Sequence, residues 1–216
     1  MKLNSRQEWL QNRKKGLGGS DAAAVLGINP WMSNVDLWQI KTGKKEQPDI
    51  SEKAVVKYGV QAEELLRKLF ELDFPEYQVI YEPNNSFVCP DVPFLLASLD
   101  GKLIKKATGE KGFWECKTTE IKRFSDLEKW NNQIPQYYYC QVLHYFNVLP
   151  DHNFCILKAQ LKRKDNFGNL MLDTRHYFFN REECQSDCDY LKQKEIEFWR
   201  EYVEKDVCPA LILPEI

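Results

Sequence analysis

Two apolar-rich stretches on either side of a polar turn limit what this chain can become. Leu95-Leu96-Ala97-Ser98-Leu99-Asp100 runs into Gly101, and Phe113-Trp114-Glu115-Cys116-Lys117 follows a glycine-containing polar segment at 105–112. Both stretches have the composition of strands, over 94–99 and 112–118, and the segment between them reads as a turn. If the strands pair antiparallel about the middle of that turn, Asp100 and Glu115 are equidistant from its centre. They then face each other, with Cα atoms roughly 4.5–5.5 Å apart. Side chains alternate along a strand, so Lys117 shares the face of Glu115. The pattern predicts two carboxylates and one ammonium on a single patch.

Carboxylates that close repel, and both stay ionised only when a cation lies between them. Hard divalent ions such as Mg²⁺ take oxygen ligands, commonly one or two carboxylates together with water and substrate phosphate. An ion held there polarises a phosphoryl oxygen and lowers the pKa of a bound water. Lys117 beside it could orient that water or stabilise charge building on the phosphate. In outline, this is the chemistry of phosphodiester hydrolysis. The competing reading is a surface hairpin with a solvated Asp-Gly turn and an exposed Glu–Lys pair of little energetic weight.

The rest of the chain sets the boundaries. Its 216 residues suffice for one domain with a real core. Hydrophobic residues at 43% and charged residues at 29% are ordinary for a globular protein. The polar N-terminus and the lack of an apolar run near eighteen residues argue against a signal peptide or membrane span, so a cytoplasmic protein is expected. A net charge of −2 speaks against a general nucleic-acid binder. Local basic runs remain, at Arg13-Lys14-Lys15, Lys41 with Lys44-Lys45, Lys102 with Lys105-Lys106, and Lys162-Arg163-Lys164. The fold either gathers these on one surface or leaves each as a solvated face. Seven scattered cysteines and three histidines read as reduced, buried thiols rather than a metal or disulfide framework.

Along the chain, Ser20 precedes an alanine-rich run ending at Gly27, which predicts a helix over 20–27 with Ser20 as its N-cap. Gly18 and Gly19 before it would let another molecule approach the free N–H groups of the helix start, an anion site. Arg13 could add a bidentate phosphate contact, while Asp21 opposes it; an ordinary capped helix is the alternative. A short helix follows over 35–42 and a long one over 51–72. On the long helix Val56, Gly59, Glu63, Leu66 and Phe70 share one face. Glu63 is therefore either the rim of an apolar stripe or aimed at something that needs its charge. Gly59 costs about 1 kcal/mol of helix propensity, which suggests a close approach. Strands are expected over 78–81 and 86–89, and a polar helical connection over 121–132. A helix then starts at Ile134-Pro135 and carries Tyr137, Tyr138, Gln141, Tyr145 and Val148 on one face. Gln141 either finds partners for its amide or sits half-exposed at the stripe edge. A hairpin over 154–161 and 170–179 precedes a final helix from Asn180, with Glu183 as capping partner, to about residue 206. The apolar tail at 209–214 either docks on the body or meets a neighbour.

Asp100 with Glu115-Cys116-Lys117 resembles the signature of the PD-(D/E)XK nuclease superfamily, an acid followed on the next strand by Glu-x-Lys. Further motifs appear in order around it: Arg13 with Gly18-Gly19-Ser20-Asp21, Gly59 with Glu63, Asp100-Gly101, and Gln141 four residues before Tyr145, the Gln-x-x-x-Tyr spacing of RecB-like nucleases. From about Arg13 to Tyr145 the chain resembles the YqaJ-type viral recombinase family, the group that includes lambda exonuclease. The resemblance implies an α/β fold, with a central mixed sheet carrying Asp100, Glu115 and Lys117 and flanking helices carrying Ser20, Glu63 and Gln141, in one nuclease domain over 1–216. Asp100, Glu115 and the backbone carbonyl of Cys116 would bind one or two Mg²⁺ (or Mn²⁺). Lys117 would act on the attacking water, and Glu63 would complete the acidic site. Gln141 would position the scissile strand or Lys117, and Tyr145 would be structural. Arg13 and Ser20 would hold a DNA phosphate.

The activity so implied is exonucleolytic degradation of linear duplex DNA from the 5′ end. The implied assembly is a homo-oligomer, a trimeric ring around DNA, working beside a single-strand annealing protein in phage recombination inside a bacterial host cell. Rival readings are a CRISPR-associated RecB-like nuclease, a restriction-type endonuclease, and a non-catalytic DNA-binding member of the fold. The first usually carries four cysteines for an iron–sulfur cluster, a pattern that the spacing of Cys184, Cys188 and Cys208 does not match.

Overall fold

The computed structural model describes residues 6–165 and 167–213. In chain order the elements are α1 (Arg6–Arg13), β1 (Leu17–Gly18), α2 (Gly19–Val25), α3 (Asn34–Lys41), α4 (Ala54–Asp73), β2 (Tyr77–Ile80), β3 (Phe87–Val88), β4 (Leu95–Ala97), β5 (Gly101–Lys105) and β6 (Lys111–Glu120). They continue with α5 (Phe124–Glu128), α6 (Gln136–Val148), β7 (Phe154–Lys164), β8 (Leu170–Asn180) and α7 (Gln185–Phe198), which runs on into a π-helical turn at Trp199–Val203. Among the described residues no helix is long and apolar enough to cross a membrane.

The main sheet has the order β2-β5-β6-β7-β8, antiparallel throughout except for the parallel β6–β7 pair. This is the mixed α/β architecture expected. Strand β6 organises it, because its side chains alternate between two helical layers. Trp114 points to one side, where Leu66 and Phe70 of α4 pack with Leu103 and Ile156. Phe113 points to the other and meets Tyr145 and Phe146 of α6, with ring centroids 5.7 and 5.0 Å away. Both Phe113 and Trp114 are wholly buried, and burying rings of this size stabilises the fold by about 1.5–3 kcal/mol each. Gly59 on α4 lies over the far end of β6, where an added Cβ would come 3.3 Å from Thr118 Oγ1. The helix thus approaches the sheet closely at the turn before Glu63.

The ladder between β5 and β6 has the expected register, Gly101 opposite Trp114 and Leu103 opposite Gly112. The strand making it is Gly101–Lys105, however, and not 94–99. Leu95–Ala97 belongs to a separate three-stranded sheet of order β1-β4-β3, in which Leu95 and Leu96 pair with Leu17 and Gly18. An apolar run specifies burial but not which neighbour it pairs with, and the Asp-Gly step carries the chain from one sheet into the other.

Three further boundaries differ from expectation. Ser20 is not the N-cap of α2; Gly18 is. The Asp21 carboxylate accepts the Gly18 N–H at 2.9 Å, so the capping acid lies inside the first turn. Asn180 ends β8 instead of starting a helix, and α7 begins five residues later. The connection at 121–132 is helical only over Phe124–Glu128. The apolar tail docks on the body as far as it is described. Asn34 donates to the Ala210 carbonyl at 2.7 Å and accepts the Ile212 N–H at 3.1 Å. Ile212 fills the space beside Gly27, whose φ of +73° ends α2 as the glycine predicted.

The N-terminal helices are joined through a buried ion pair. Lys41 on α3 contacts Asp21 at 2.7 Å and donates to the Arg13 carbonyl at 3.1 Å. Burial pushes the Asp21 carboxyl up, but the charges of Lys41 and Arg13 and the Gly18 N–H outweigh it and hold the group below its ordinary 3.8. Its stabilising contribution is therefore present above that value and is lost as the pH falls through the folded-state value. Lys41→Met strands the buried carboxylate, and urea denaturation at neutral pH should show a loss of about 3–5 kcal/mol.

Candidate active site

The β5–β6 ladder stops at Gly101, while β6 runs on to Glu120 with only β7 beside it. The open edge so created faces a cavity of about 440 Å³ between the sheet, α1, α2, α4 and α6. Arg13, Ser20, Glu63, Asp100, Glu115, Cys116, Lys117 and Gln141, all singled out from the sequence, line this one cleft. Asp100 is the residue just before the last pair of the ladder, Gly101 with Trp114, and lines the cleft together with Glu115. Its carboxylate accepts the Cys116 N–H at 2.8 Å, as a further β5 residue would. In a strand the N–H and C=O of one residue leave by the same edge, so the Cys116 carbonyl opens to the same space.

Glu115 and Lys117 share a face of β6 and meet α6. Lys117 Nζ donates to Glu115 Oε1 at 2.6 Å and to Gln141 Oε1 at 2.8 Å. Gln141 Nε2 donates to the same Glu115 oxygen at 2.7 Å and to the Tyr145 hydroxyl at 2.9 Å. Gln141 is thus fully engaged and not a half-exposed edge residue, and Tyr145 orients its amide. The Tyr138 ring lies 4.8 Å from Lys117 Nζ and adds a cation–π contact.

Glu63 enters from the opposite layer, on α4. Here the structure adds a residue that sequence reading missed. Arg67, one turn after Glu63 and 8% exposed, approaches Glu63 Oε1 at 3.4 Å and donates to the Asp100 carbonyl at 3.2 Å. Its guanidinium carbon sits 3.7 Å from the centroid of the Tyr81 ring. The i,i+4 spacing to Glu63 was visible in the sequence, but the contact to Asp100 depends on the tertiary fold.

The electrostatics of the group all have one sign. Burial, followed by the Asp100 charge, pushes Glu115 up to about 8. Burial and Asp100 likewise push Glu63 up to about 7 against the pull of Arg67. Burial raises Asp100 despite Lys117. Burial works to lower Lys117, but Glu115, Tyr138 and Asp100 outweigh it, so its ammonium is held protonated. Burial is the largest cause for all three carboxyls, and mutual repulsion adds to it at Glu63 and Glu115. Glu115 Oε2 is also buried and without a hydrogen-bond partner. A divalent cation fits this need, since carboxylate and carbonyl oxygens are its preferred ligands. Among the described residues, no three Asp, Glu, His or Cys side chains close into a metal-holding group. Glu63 is turned to Arg67 and Glu115 to Lys117.

On the α2 side, Arg13 Nη2 donates to Ser20 Oγ, and its guanidinium lies 4.8 Å from the Trp9 ring centroid. Asp21, the acid expected to oppose an anion here, is neutralised by Lys41.

The fold is of the PD-(D/E)XK type found in alkaline exonuclease. A crystal structure of that enzyme from Laribacter hongkongensis superimposes with a TM-score of 0.63, covering 93% of this chain and 94% of the other at 14% identity. Its complex with dAMP gives a TM-score of 0.62 at 13% identity with the same coverage. The chain belongs to the YqaJ-like viral recombinase domain family, which it matches over residues 8–149, a span holding every residue named above for the cleft. It is 32% identical over 209 residues to the protein YqaJ of Bacillus subtilis (strain 168), covering 96% of this chain. The chain spans 59% of the length of that relative.

Of the glycines lining the cleft, Gly19 leaves the least room for a side chain. An added Cβ would lie 2.6 Å from Tyr145 Cε1 and 2.8 Å from Gln141 Cγ. Gly19→Ala should cost about 1–3 kcal/mol through overpacking, read by chemical denaturation, although alanine is the better helix former.

Proposed function

We propose that this chain is a metal-dependent deoxyribonuclease that hydrolyses phosphodiesters of duplex DNA, acting as one nuclease domain over 1–216. The observation that carries the reading is the Glu115–Lys117–Gln141 network, which shares one buried cleft with Asp100 and Glu63. The exonuclease title of the structural neighbour points the same way. Asp100, Glu115 and the Cys116 carbonyl would hold Mg²⁺, with Mn²⁺ as the alternative, and Glu63 would complete the acidic set. Such an ion, when bound, polarises a phosphoryl oxygen and lowers the pKa of a bound water.

The chain's own groups divide the remaining work. Lys117 is held protonated, so it serves as an N–H donor to the charge growing on the phosphate and not as a base. Gln141, fixed by Tyr145, keeps Lys117 on the cleft side of β6. Arg13 and Ser20 would take a second phosphate of the same strand, since both line the cleft. A phosphate pocket beside the acidic centre favours a chain end as substrate, with 5′-to-3′ polarity following from the family resemblance. The same resemblance supports a ring-shaped oligomer, a single-strand annealing partner and a role in phage recombination in the bacterial cytoplasm.

Digestion of end-labelled linear duplex with and without Mg²⁺ tests the reading. Nucleotide release should require the ion, and Asp100→Asn or Lys117→Met should lower it at least about 10³-fold with an unchanged circular dichroism spectrum. Retained activity in either variant removes that residue from the mechanism, and DNA binding without Mg²⁺-dependent release would favour the non-catalytic alternative. Arg13→Ala should slow digestion of 5′-phosphorylated ends about tenfold more than 5′-hydroxyl ends, the worth of one charge-assisted contact. Equal losses on the two substrates would remove the terminal-phosphate pocket.

A further inference from the structure

Trp31 stands 72% exposed on the loop between α2 and α3, yet it is held in place from two sides. Its backbone N–H donates to Asn29 Oδ1 at 2.8 Å, and Asn29 Nδ2 reaches the Ser20 carbonyl at 3.4 Å. One side chain thus ties the tryptophan to the residue paired with Arg13. On the other side the Trp31 ring meets Tyr137 edge-on at 5.0 Å between centroids. Tyr137 lies 4.5 Å from Tyr138, whose ring covers Lys117 Nζ. A continuous aromatic ladder therefore leads from the site lysine to a ring standing in solvent. Asp126, close enough to Tyr137 to raise its hydroxyl pKa, is paired with Lys129 at 3.3 Å, so its charge is offset on this rim.

A large aromatic ring fixed at the surface and open on a face is a platform for a nucleobase, because every base has a π-face and such stacking is tolerant of sequence. Trp31 does not itself line the cleft, but the three ring contacts hold its centroid within about 14 Å of Lys117 Nζ. We propose that Trp31 forms a base-stacking subsite for a terminal nucleotide of DNA bound in the neighbouring cleft. This rests on the reading of the cleft as a DNA site. The base faces inside a duplex are covered, so the stacked base belongs either to an unpaired nucleotide or to the outermost pair of an end.

Equilibrium binding of fluorescein-labelled, 5′-phosphorylated oligonucleotides, followed by anisotropy with Mg²⁺ present, tests the subsite. An Asp100→Asn background prevents turnover. The parent, Trp31→Phe and Trp31→Ala are compared on a blunt duplex, on one with unpaired 5′-terminal nucleotides, and on versions of both whose terminal nucleotides are abasic. Trp31→Ala should raise Kd about 5- to 150-fold on base-bearing ends. Trp31→Phe should recover most of the loss, and the abasic DNAs should bind parent and Trp31→Ala alike. A larger penalty on the unpaired end assigns the platform to a frayed nucleotide, and a larger one on the blunt end assigns it to the terminal pair. Unchanged affinity of Trp31→Ala, an equal loss with and without bases, or a parent that binds none of the DNAs overturns the proposal. Hydrolysis by protein with Asp100 intact is measured in parallel. Its absence alongside a retained stacking penalty would sink the nuclease reading and leave the subsite standing.

Discussion

The site depends on the early end of one hydrogen-bonded ladder. Strands β5 and β6 pair through Gly101 and Trp114, after which β6 continues without a partner on that edge. An unpaired edge inside a protein ordinarily exposes backbone groups that must be satisfied. Here a carboxylate substitutes for the missing strand, as Asp100 takes the Cys116 N–H. The same break lets Glu63 approach from the α4 layer while Gln141 approaches from the α6 layer. A β-strand delivers alternate residues to opposite faces, so only its open edge gives access to both helical layers at once.

Behind this edge two buried ion pairs have opposite characters. The Asp21–Lys41 pair is satisfied: the acid caps α2, the lysine also holds the Arg13 carbonyl, and the carboxyl is held below its ordinary range. The Glu115–Lys117 pair is not, since one Glu115 oxygen has no partner and the surrounding carboxyls are all shifted upward. The first arrangement belongs to structure. The second stores an electrostatic need within a cleft, which is the condition expected where charge must be handled in a reaction.

Much of this was legible in the sequence, because the decisive relations are local. Register about a turn aligned Gly101 with Trp114 and so brought Asp100 and Glu115 to one cleft, strand alternation put Lys117 with Glu115, and helical spacing put Gln141 with Tyr145. Other features could not be read locally. The run at 95–97 looked like the partner of β6 because apolarity does not name a neighbour, and Leu17–Gly18 claimed it instead. Ser20 had the better capping signature, yet Asp21 closes the box on Gly18 and leaves the serine hydroxyl to Arg13. Asn180 and Glu183 matched a helix start but lie where β8 ends, since the pairing with Phe154 holds Asn180 in the sheet. Arg67 carries no signal in the sequence beyond its spacing from Glu63, because its partner, the Asp100 carbonyl, is brought to it only by the fold.

The docked tail has a mechanical consequence for the cleft. Helix α2 has only seven residues, too few to hold its shape unaided. One end is clamped by Asp21 and Lys41, and the other abuts Ile212, which occupies the room left by the bare Cα of Gly27. Asn34 latches that segment through Ala210 and Ile212. The helix bearing Ser20 is thus braced like a beam between two supports, one of which comes from the segment around Ala210 and Ile212, so residues far from α2 in sequence help set the stiffness of that wall of the cleft.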